Sequence, residues 1–580
     1  MRRGRAAGGS GSPGVHRERW LSGEAVVPRP GPDDLSVALC FPASYSLGMS
    51  NLGFQAVLGL LRATSGVYCE RAFHERRARE PDPNGLAVPA PADGLAAPGA
   101  TDASSGRTLE TGTRLFEFDV VAFSVSFEGD YFGLVEALDA GGVPPLAAER
   151  GADDPIVVMG GACAHINPEP VAPFLDAVLV GEAGPVVGPL VASLRATRGR
   201  ERSERLRDLT RVGGAYVPAL YSVERDSSGA IAGFRAEGGA PLPVRPAEGP
   251  SDMAVTTVLS DGAYFSDMAL MESSRGCGRG CRFCAAGSVM LPRVNRPAAE
   301  VTAAMERASA FTERVGLVTA ALLDHPEAAA ILRGAVELGL EVNVSSVRAE
   351  ALTPELAALL RQSGVRTVTL APETGREDLR RVIGKPTTDA ELTNAVGHLA
   401  DAGMETLKLY FMVGVPGEVA GDVAAITELA RRLRARFVEG RSGTRVSVSV
   451  SSLVPKPRTA FQWLPMAEEA YIRRTISALR RSFSRRPRIE FSAVGPREAR
   501  REGLLARGGR ELSEALRLTA LEGVPWKAAV KRAGVDARAV LGRERGADEI
   551  FPWEIVEVGA RRERLAASLE RARELIESRG

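Results

Sequence analysis

The stretch SRGCGRGCRFCAAG, residues 273–286, carries Cys277, Cys281 and Cys284, three of the chain's six cysteines. Their spacing is Cys-x3-Cys-x2-Cys, directly after an apolar run, 268–273, that reads as a strand. Three thiols between glycines and arginines point to a metal, and three readings stand at this point. Zinc takes four ligands in a closed site, or three and a water, yet the nearest further Cys or His in sequence is His325. Inert core cysteines would sit on a strand, whereas Gly276, Gly278 and Gly280 make this a flexible loop. An iron–sulfur cubane is usually held by four thiolates; three would leave one iron open to an outside ligand. Arg275, Arg279 and Arg282 can offset the negative charge of such a cube, and each singly also serves solubility.

Working outward, strand-like runs continue at 315–323, 340–346, 365–372, 406–416 and 444–455, with helical segments such as 353–364 and 389–403 between them. About six βα units imply a barrel or partial barrel, with ligands at the strand C-termini. Upstream, 35–41, 118–127, 155–161 and 175–182 read as strands, and 51–64, 129–140 and 184–196 as helices. That alternation implies a parallel, doubly wound α/β sheet. The expected divisions are a disordered tail at 1–32, an α/β domain at 33–199 and a linker with a hairpin around Ser-Ser-Gly at 200–262. A barrel at 263–485 and a charged, helical region at 486–580 follow. Residues 76–113 read as a Pro- and Gly-rich surface insertion. The region 504–516 reads as a solvated helical cap, and the last twenty residues as a solvated amphipathic helix.

Composition narrows the setting. The chain has 580 residues, enough for several domains, and Lys+Arg 73 against Asp+Glu 72 leaves a net charge of +1. No global field draws in nucleic acid or an anionic membrane. No apolar run approaches the ~20 residues of a membrane span. The arginine-bearing N-terminus has no apolar core of a secretory signal. A reducing, cytoplasmic setting is expected, since six cysteines in so long a chain make no disulfide framework.

The triplet with Phe283 before its last cysteine, placed after the first strand of a βα barrel, resembles the radical SAM superfamily. The resemblance implies a 4Fe-4S cluster on Cys277, Cys281 and Cys284 whose open iron binds S-adenosylmethionine (SAM). Reductive cleavage of SAM then gives a 5′-deoxyadenosyl radical that abstracts a substrate hydrogen. KLYFMVGVPGE (408–418) resembles the family's fifth-strand segment near the adenine, through Gly414, Pro416 and Gly417. LAPETG (370–375) aims Glu373 at the SAM ribose or amino group, and NVSSVRAE (343–350) offers Ser345, Ser346 and Arg348 for its carboxylate or ribose. The family's Gly-Gly-Glu motif after the second strand is replaced by TAALLDHPE (319–327), where Asp324 or His325 could substitute. A reduced flavodoxin or ferredoxin is the implied electron donor.

A doubly wound domain before such a barrel resembles the B12-binding radical SAM proteins, through GGACAHINPEP (160–170) and DAVLVGEAGPVV (176–187). FPASYSLGMSNLG (41–53), LVPKPRTAFQW (453–463) and FPWEIVEVG (551–559) mark an uncharacterised subgroup of them. Cobalamin itself is left open, because the Asp-x-His-x-x-Gly motif of an axial ligand is absent and His165 is read as a hydrogen-bonded loop histidine. The reaction class, methylation or rearrangement, is open too. The alternatives are a methylthiotransferase, which should bring a second cysteine triplet, and a non-catalytic Fe–S or corrinoid-binding protein. Cys40, Cys69 and Cys163 are scattered and read as small buried apolar residues.

Overall fold

Leu35–Phe41 alternates two destinations. Leu35, Val37, Leu39 and Phe41 enter one hydrophobic core, and Ala38 and Cys40 enter another. A strand buried on both faces belongs inside a parallel sheet covered by helices. The computed structural model, which describes residues 16–21, 31–75, 106–485 and 489–579, shows that sheet. Its strand order is Val67–Phe73, Leu35–Phe41, Val120–Ser124, Ile156–Gly160, Ala177–Leu179, Ala215–Tyr216, parallel except for the last. Leu52–Ala63 and Ala183–Ala196 cover one face, and Tyr131–Ala140 covers the other.

Two strands of this sheet escape the sequence reading. Val67–Phe73 hides behind Glu70 and Arg71, which look like surface residues but are buried. Arg71 is paired with Glu18 and Glu110, and Glu70 with Tyr68 and Thr111. Ala215–Tyr216 extends the sheet past residue 199 into the segment expected to be linker. The hairpin expected there is present as Tyr221–Arg225 and Ile231–Ala236. Within the expected tail, Glu18–Trp20 pairs with Val258–Ser260; residues 1–15 and 22–30 of that tail and most of the 76–113 insertion lie outside the described residues.

The second unit is a curved parallel sheet. Met268–Glu272, Arg314–Val318 and Glu341–Val344 form one group. Thr367–Glu373, Thr406–Val413, Arg445–Ser452 and Glu490–Ala493 form the next. A bridge between Val347 and Leu370 joins the groups. The six expected strands are all present, and Glu490–Ala493 adds a seventh at the start of the region expected to be helical. Among the described residues the first and last strands do not pair, so the barrel is partial. Ala269 and Met271 face the helical layer, while Met268 and Leu270 pack on Leu52 of the N-terminal domain.

The C-terminal segments are not solvated caps. Leu505 and Leu516 join the core beneath the N-terminal sheet, and Leu565, Leu569 and Ala572 of Arg562–Glu577 bury against Leu379, Val382 and Phe461. Charged faces made these helices read as surface; each also carries an apolar stripe that needs a partner.

Candidate functional site

The cysteine loop leaves the first barrel strand and is fixed at four places. Gly276, at φ +73°, leaves no room for a side chain, since a Cβ there would lie 2.1 Å from the Met290 carbonyl oxygen. Arg275 donates to Glu272, and its Nη1 lies 2.6 Å from Glu182 of the N-terminal domain. The Arg282 backbone N–H donates to the Ile383 oxygen at 2.9 Å, and its guanidinium donates to the carbonyls of Arg381, Val382 and Ser568. Where the loop exits, the Ala560 N–H donates to the Ser288 oxygen at 2.7 Å. The C-terminal segments therefore clamp the loop from below.

All three cysteines are free and partly exposed. Among the described residues, no three His, Cys, Asp or Glu side chains are gathered closely enough to hold a metal ion. Binding a cluster therefore requires the thiols to draw together. Ideal Cβ atoms on Gly278 and Gly280 would meet nothing within 4 Å, so the span between Cys277 and Cys281 has space to move. Burial raises the Cys281 pKa, and Lys385 and Arg348 oppose that rise.

The remaining candidate residues fall into two groups. Arg348 and Glu373 stand beside the loop, and Phe283 is part of it. Arg348 donates Nε to Glu350 at 2.8 Å and lies 4.0 Å from Asp324. Glu373 ends its strand at φ +67°, a left-handed conformation that a non-glycine residue adopts at a cost. It accepts from Lys385 Nζ at 2.9 Å, and Arg376 rather than Glu373 occupies the N-cap position of the following helix. Phe283 packs on the cluster of Leu379, Val382, Trp463 and Phe551. The second group is turned to structural contacts. Ser345 donates to the Thr319 oxygen, and the Gly414 N–H donates to Glu418 at 2.8 Å. A Cβ on Gly417 would lie 2.8 Å from Ile576, so this glycine admits the C-terminal helix. Pro416 stands between these two left-handed glycines, in the turn that follows the strand.

Neither replacement for the Gly-Gly-Glu motif is free. Asp324 is held by Arg279 through a fork of 2.6 and 2.9 Å. His325 uses both ring nitrogens, on the Arg296 oxygen and the Glu327 N–H.

Sequence reasoning missed Lys385. Gly384 before it, at φ +73°, presses against the cysteine loop, since a Cβ there would lie 2.5 Å from the Gly280 oxygen. The available signal was a Gly-Lys-Pro turn directly after a helix. The barrel lining was legible but unused. In Arg445–Ser452 the valines join the core and the serines alternate inward; in Thr406–Val413 the same alternation leaves Tyr410 42% exposed.

The N-terminal crevice lies where Ser124, Gly160 and Leu179 end their strands. Its His165 is fully engaged: Nδ1 meets the Gly161 oxygen at 3.2 Å, and Nε2 accepts the Gly181 N–H at 3.0 Å. Burial lowers its pKa, which favours the neutral ring. The loop after the sixth strand bridges both domains. Lys456 pairs with Glu128 and Glu502, and Arg458 donates to the carbonyls of Ile166, Trp553 and Val556. Burial pushes the Arg458 guanidinium down to about 10. Trp463 packs edge-on against Phe551 at 6.0 Å.

Residues 271–430 match the model of the radical SAM superfamily, and residues 88–218 match the model of the N-terminal region of radical SAM proteins. The two matches together span about half of the chain. The chain belongs to the radical SAM superfamily. As a radical SAM protein it is an enzyme whose cofactors are a 4Fe-4S cluster and SAM. An uncharacterised protein of Methanocaldococcus jannaschii is 26% identical over 356 residues, 61% of this chain and 70% of its own length. One of Methanopyrus kandleri is 28% identical over 212 residues, 33% of this chain and 39% of its own. Among solved structures, the radical SAM methyltransferase TsrM of Kitasatospora setae, with cobalamin and a 4Fe-4S cluster bound, is 14% identical. It covers 94% of this chain and 100% of that one, with a TM-score of 0.47. The cobalamin-dependent enzyme OxsB, with aqua-cobalamin and SAM bound, is 13% identical over 86% of this chain and 70% of that one, also at 0.47. Among the described residues no helix is long and apolar enough to cross a membrane.

Proposed function

We propose that Cys277, Cys281 and Cys284 hold the 4Fe-4S cluster of this radical SAM enzyme, and that the N-terminal crevice presents a second group to the same site. The observation that carries this reading is the ion pair of Arg275, on the cysteine loop, with Glu182, on the crevice, at 2.6 Å. The donor set fits the cluster: three free thiols on one glycine-rich loop, with cations beside them and no fourth cysteine near. When bound, the reduced cluster supplies the electron that breaks a sulfonium C–S bond of SAM.

The protein's own groups bind and orient. Arg348 and Lys385 place positive charge beside Cys281, where the carboxylate of SAM would be received. Lys385 also fixes the Glu373 carboxylate, which keeps one oxygen for a hydroxyl or ammonium donor. Arg458, buried on three carbonyls, ties the bridging loop to Ile166 of the N-terminal domain and to the segment around Trp553 and Val556. A reduced flavodoxin or ferredoxin serves as donor.

The second group is read as a corrinoid that would take no imidazole from His165, and the reaction as methylation or rearrangement. On the crevice floor a Cβ on Gly160 would meet nothing closer than 3.9 Å, Gly161 lets the Val125 backbone approach, and both nitrogens of His165 are already spoken for. The methylthiotransferase alternative fares poorly: Cys40, Cys69 and Cys163 are buried, and desolvation raises the pKa of each.

Anaerobic reconstitution, reduction and incubation with SAM should release 5′-deoxyadenosine slowly even without substrate; stoichiometric zinc and no iron would refute the assignment. Hydroxocobalamin retained after desalting, with no histidine nitrogen splitting in its electron paramagnetic resonance spectrum, is expected. A histidine splitting lost in His165→Ala would overturn the ligand assignment, and no retained corrinoid would leave the crevice to substrate.

A further inference from the structure

At the end of the barrel opposite the cysteine loop, Arg434, Arg445 and Arg480 line a cavity of about 600 Å³ with Thr444, Ser484 and Glu490. We propose that this cavity binds a small phosphorylated anion. Its size is that of a small-molecule site. Arg445 opens the sixth strand, whose other end, Ser452, lies on the side of the cysteine loop. At about 3.3 Å per residue the two ends are about 25 Å apart, so this is not the reaction site.

Charge carries the argument. Three guanidinium-bearing residues share the cavity with a single carboxylate, Glu490. Among the described residues none of the three guanidinium groups forms an ion pair or hydrogen bond. Their neighbours on Ala420–Val438 behave otherwise: Arg432 pairs with Asp389, Arg436 with Asp401, and Arg431 donates to the Ser482 oxygen. The Arg480 guanidinium stands 5.5 Å from the Phe491 ring. Phe491 is stacked on Phe483, which limits the swing of both elements. Arginines are selected over lysines where planar, forked donors meet phosphate oxygens. The Thr444 hydroxyl adds a neutral donor, while the Ser484 hydroxyl already donates to the Arg481 oxygen at 2.9 Å. The cations line a concave volume rather than a stripe, which favours a compact anion over a nucleic-acid strand.

Calorimetric titration of the iron-loaded, full-length protein with inorganic pyrophosphate, at about 0.1 M salt, tests this. Saturable one-site binding is expected. Arg445→Gln with Arg480→Gln should weaken it about tenfold or more, with iron content and SAM cleavage unchanged. Glu490→Gln should tighten it about threefold and remains informative should the arginine variants lose their fold. Parallel titration with uridine diphosphate tells whether the phosphate source is a nucleotide. Absence of saturable binding, wild-type affinity in the variants, or arginine-dependent binding of a single-stranded oligonucleotide that pyrophosphate does not displace would each overturn the proposal.

Discussion

Gly384→Ala tests whether the turn carrying Lys385 is locked to the cysteine loop. Gly384 stands at φ +73°, and a Cβ added there would meet the Gly280 carbonyl oxygen at 2.5 Å and the Arg282 backbone nitrogen at 3.3 Å. The left-handed backbone alone costs an alanine about 1–2 kcal/mol. The contact adds an overpacking cost of about 1–3 kcal/mol, because a backbone oxygen cannot rotate away as a flexible side chain would. The total is about 2–5 kcal/mol, placed on a contact that seats Lys385 beside Cys281. Gly440→Ala is the control: it has φ +65° and no atom within 4 Å of a Cβ, so it carries the backbone cost without the clash. Thermal melting and iron content after reconstitution are the assays. The melting temperature should drop more in Gly384→Ala than in Gly440→Ala, and only Gly384→Ala should lose iron. Equal melting temperatures and equal iron in the two variants would refute the close approach.

Other outcomes follow from the same geometry. Cys281→Ala should remove most of the cluster absorbance, whereas Cys163→Ala, fully buried in the N-terminal core, should retain iron at the wild-type level. Glu373→Gln and Lys385→Met should each weaken SAM binding, measured by equilibrium dialysis, by about tenfold for a lost charge-assisted contact while leaving iron content near wild type; loss of the cluster instead would misplace these residues. His165 titrates below its ordinary 6.5 because burial favours the neutral ring. The unfolded chain therefore binds the extra proton first as pH falls. The contribution to stability is full above 6.5 and is lost as pH drops toward the folded value. The fall in melting temperature between about pH 7 and about pH 5.5 should shrink in His165→Gln.

What the sequence disclosed was the part written in short-range patterns. The strand at Arg445–Ser452 and the Ser-Ser-Gly hairpin each depend on residues a few positions apart, and each matches the fold. What it concealed was long-range pairing. Val67–Phe73 was passed over because Glu70 and Arg71 violate an apolar strand pattern, and only the arrival of Glu18 and Glu110 from elsewhere in the chain makes their burial tolerable. Lys385 was invisible because its relation to Cys281 passes through a contact between residues 280 and 384.

The same reasoning changes the meaning of residues that were assigned by resemblance. Gly414 and Gly417 look alike in sequence, and both take positive φ. Yet Gly417 lies against Ile576, and a Cβ on Gly414 would lie 2.9 Å from Ala467. Substituting either glycine disturbs the packing of the C-terminal half, so neither variant reports cleanly on SAM. Glu373 is the better probe, because Glu373→Gln leaves the backbone φ and the side-chain shape in place and alters only charge and one acceptor oxygen. The C-terminal helix also gains a role that its charged sequence concealed. Its Ser568 carbonyl receives Arg282 from the cysteine loop, so the far end of the chain helps hold the loop on which the cluster is proposed to sit.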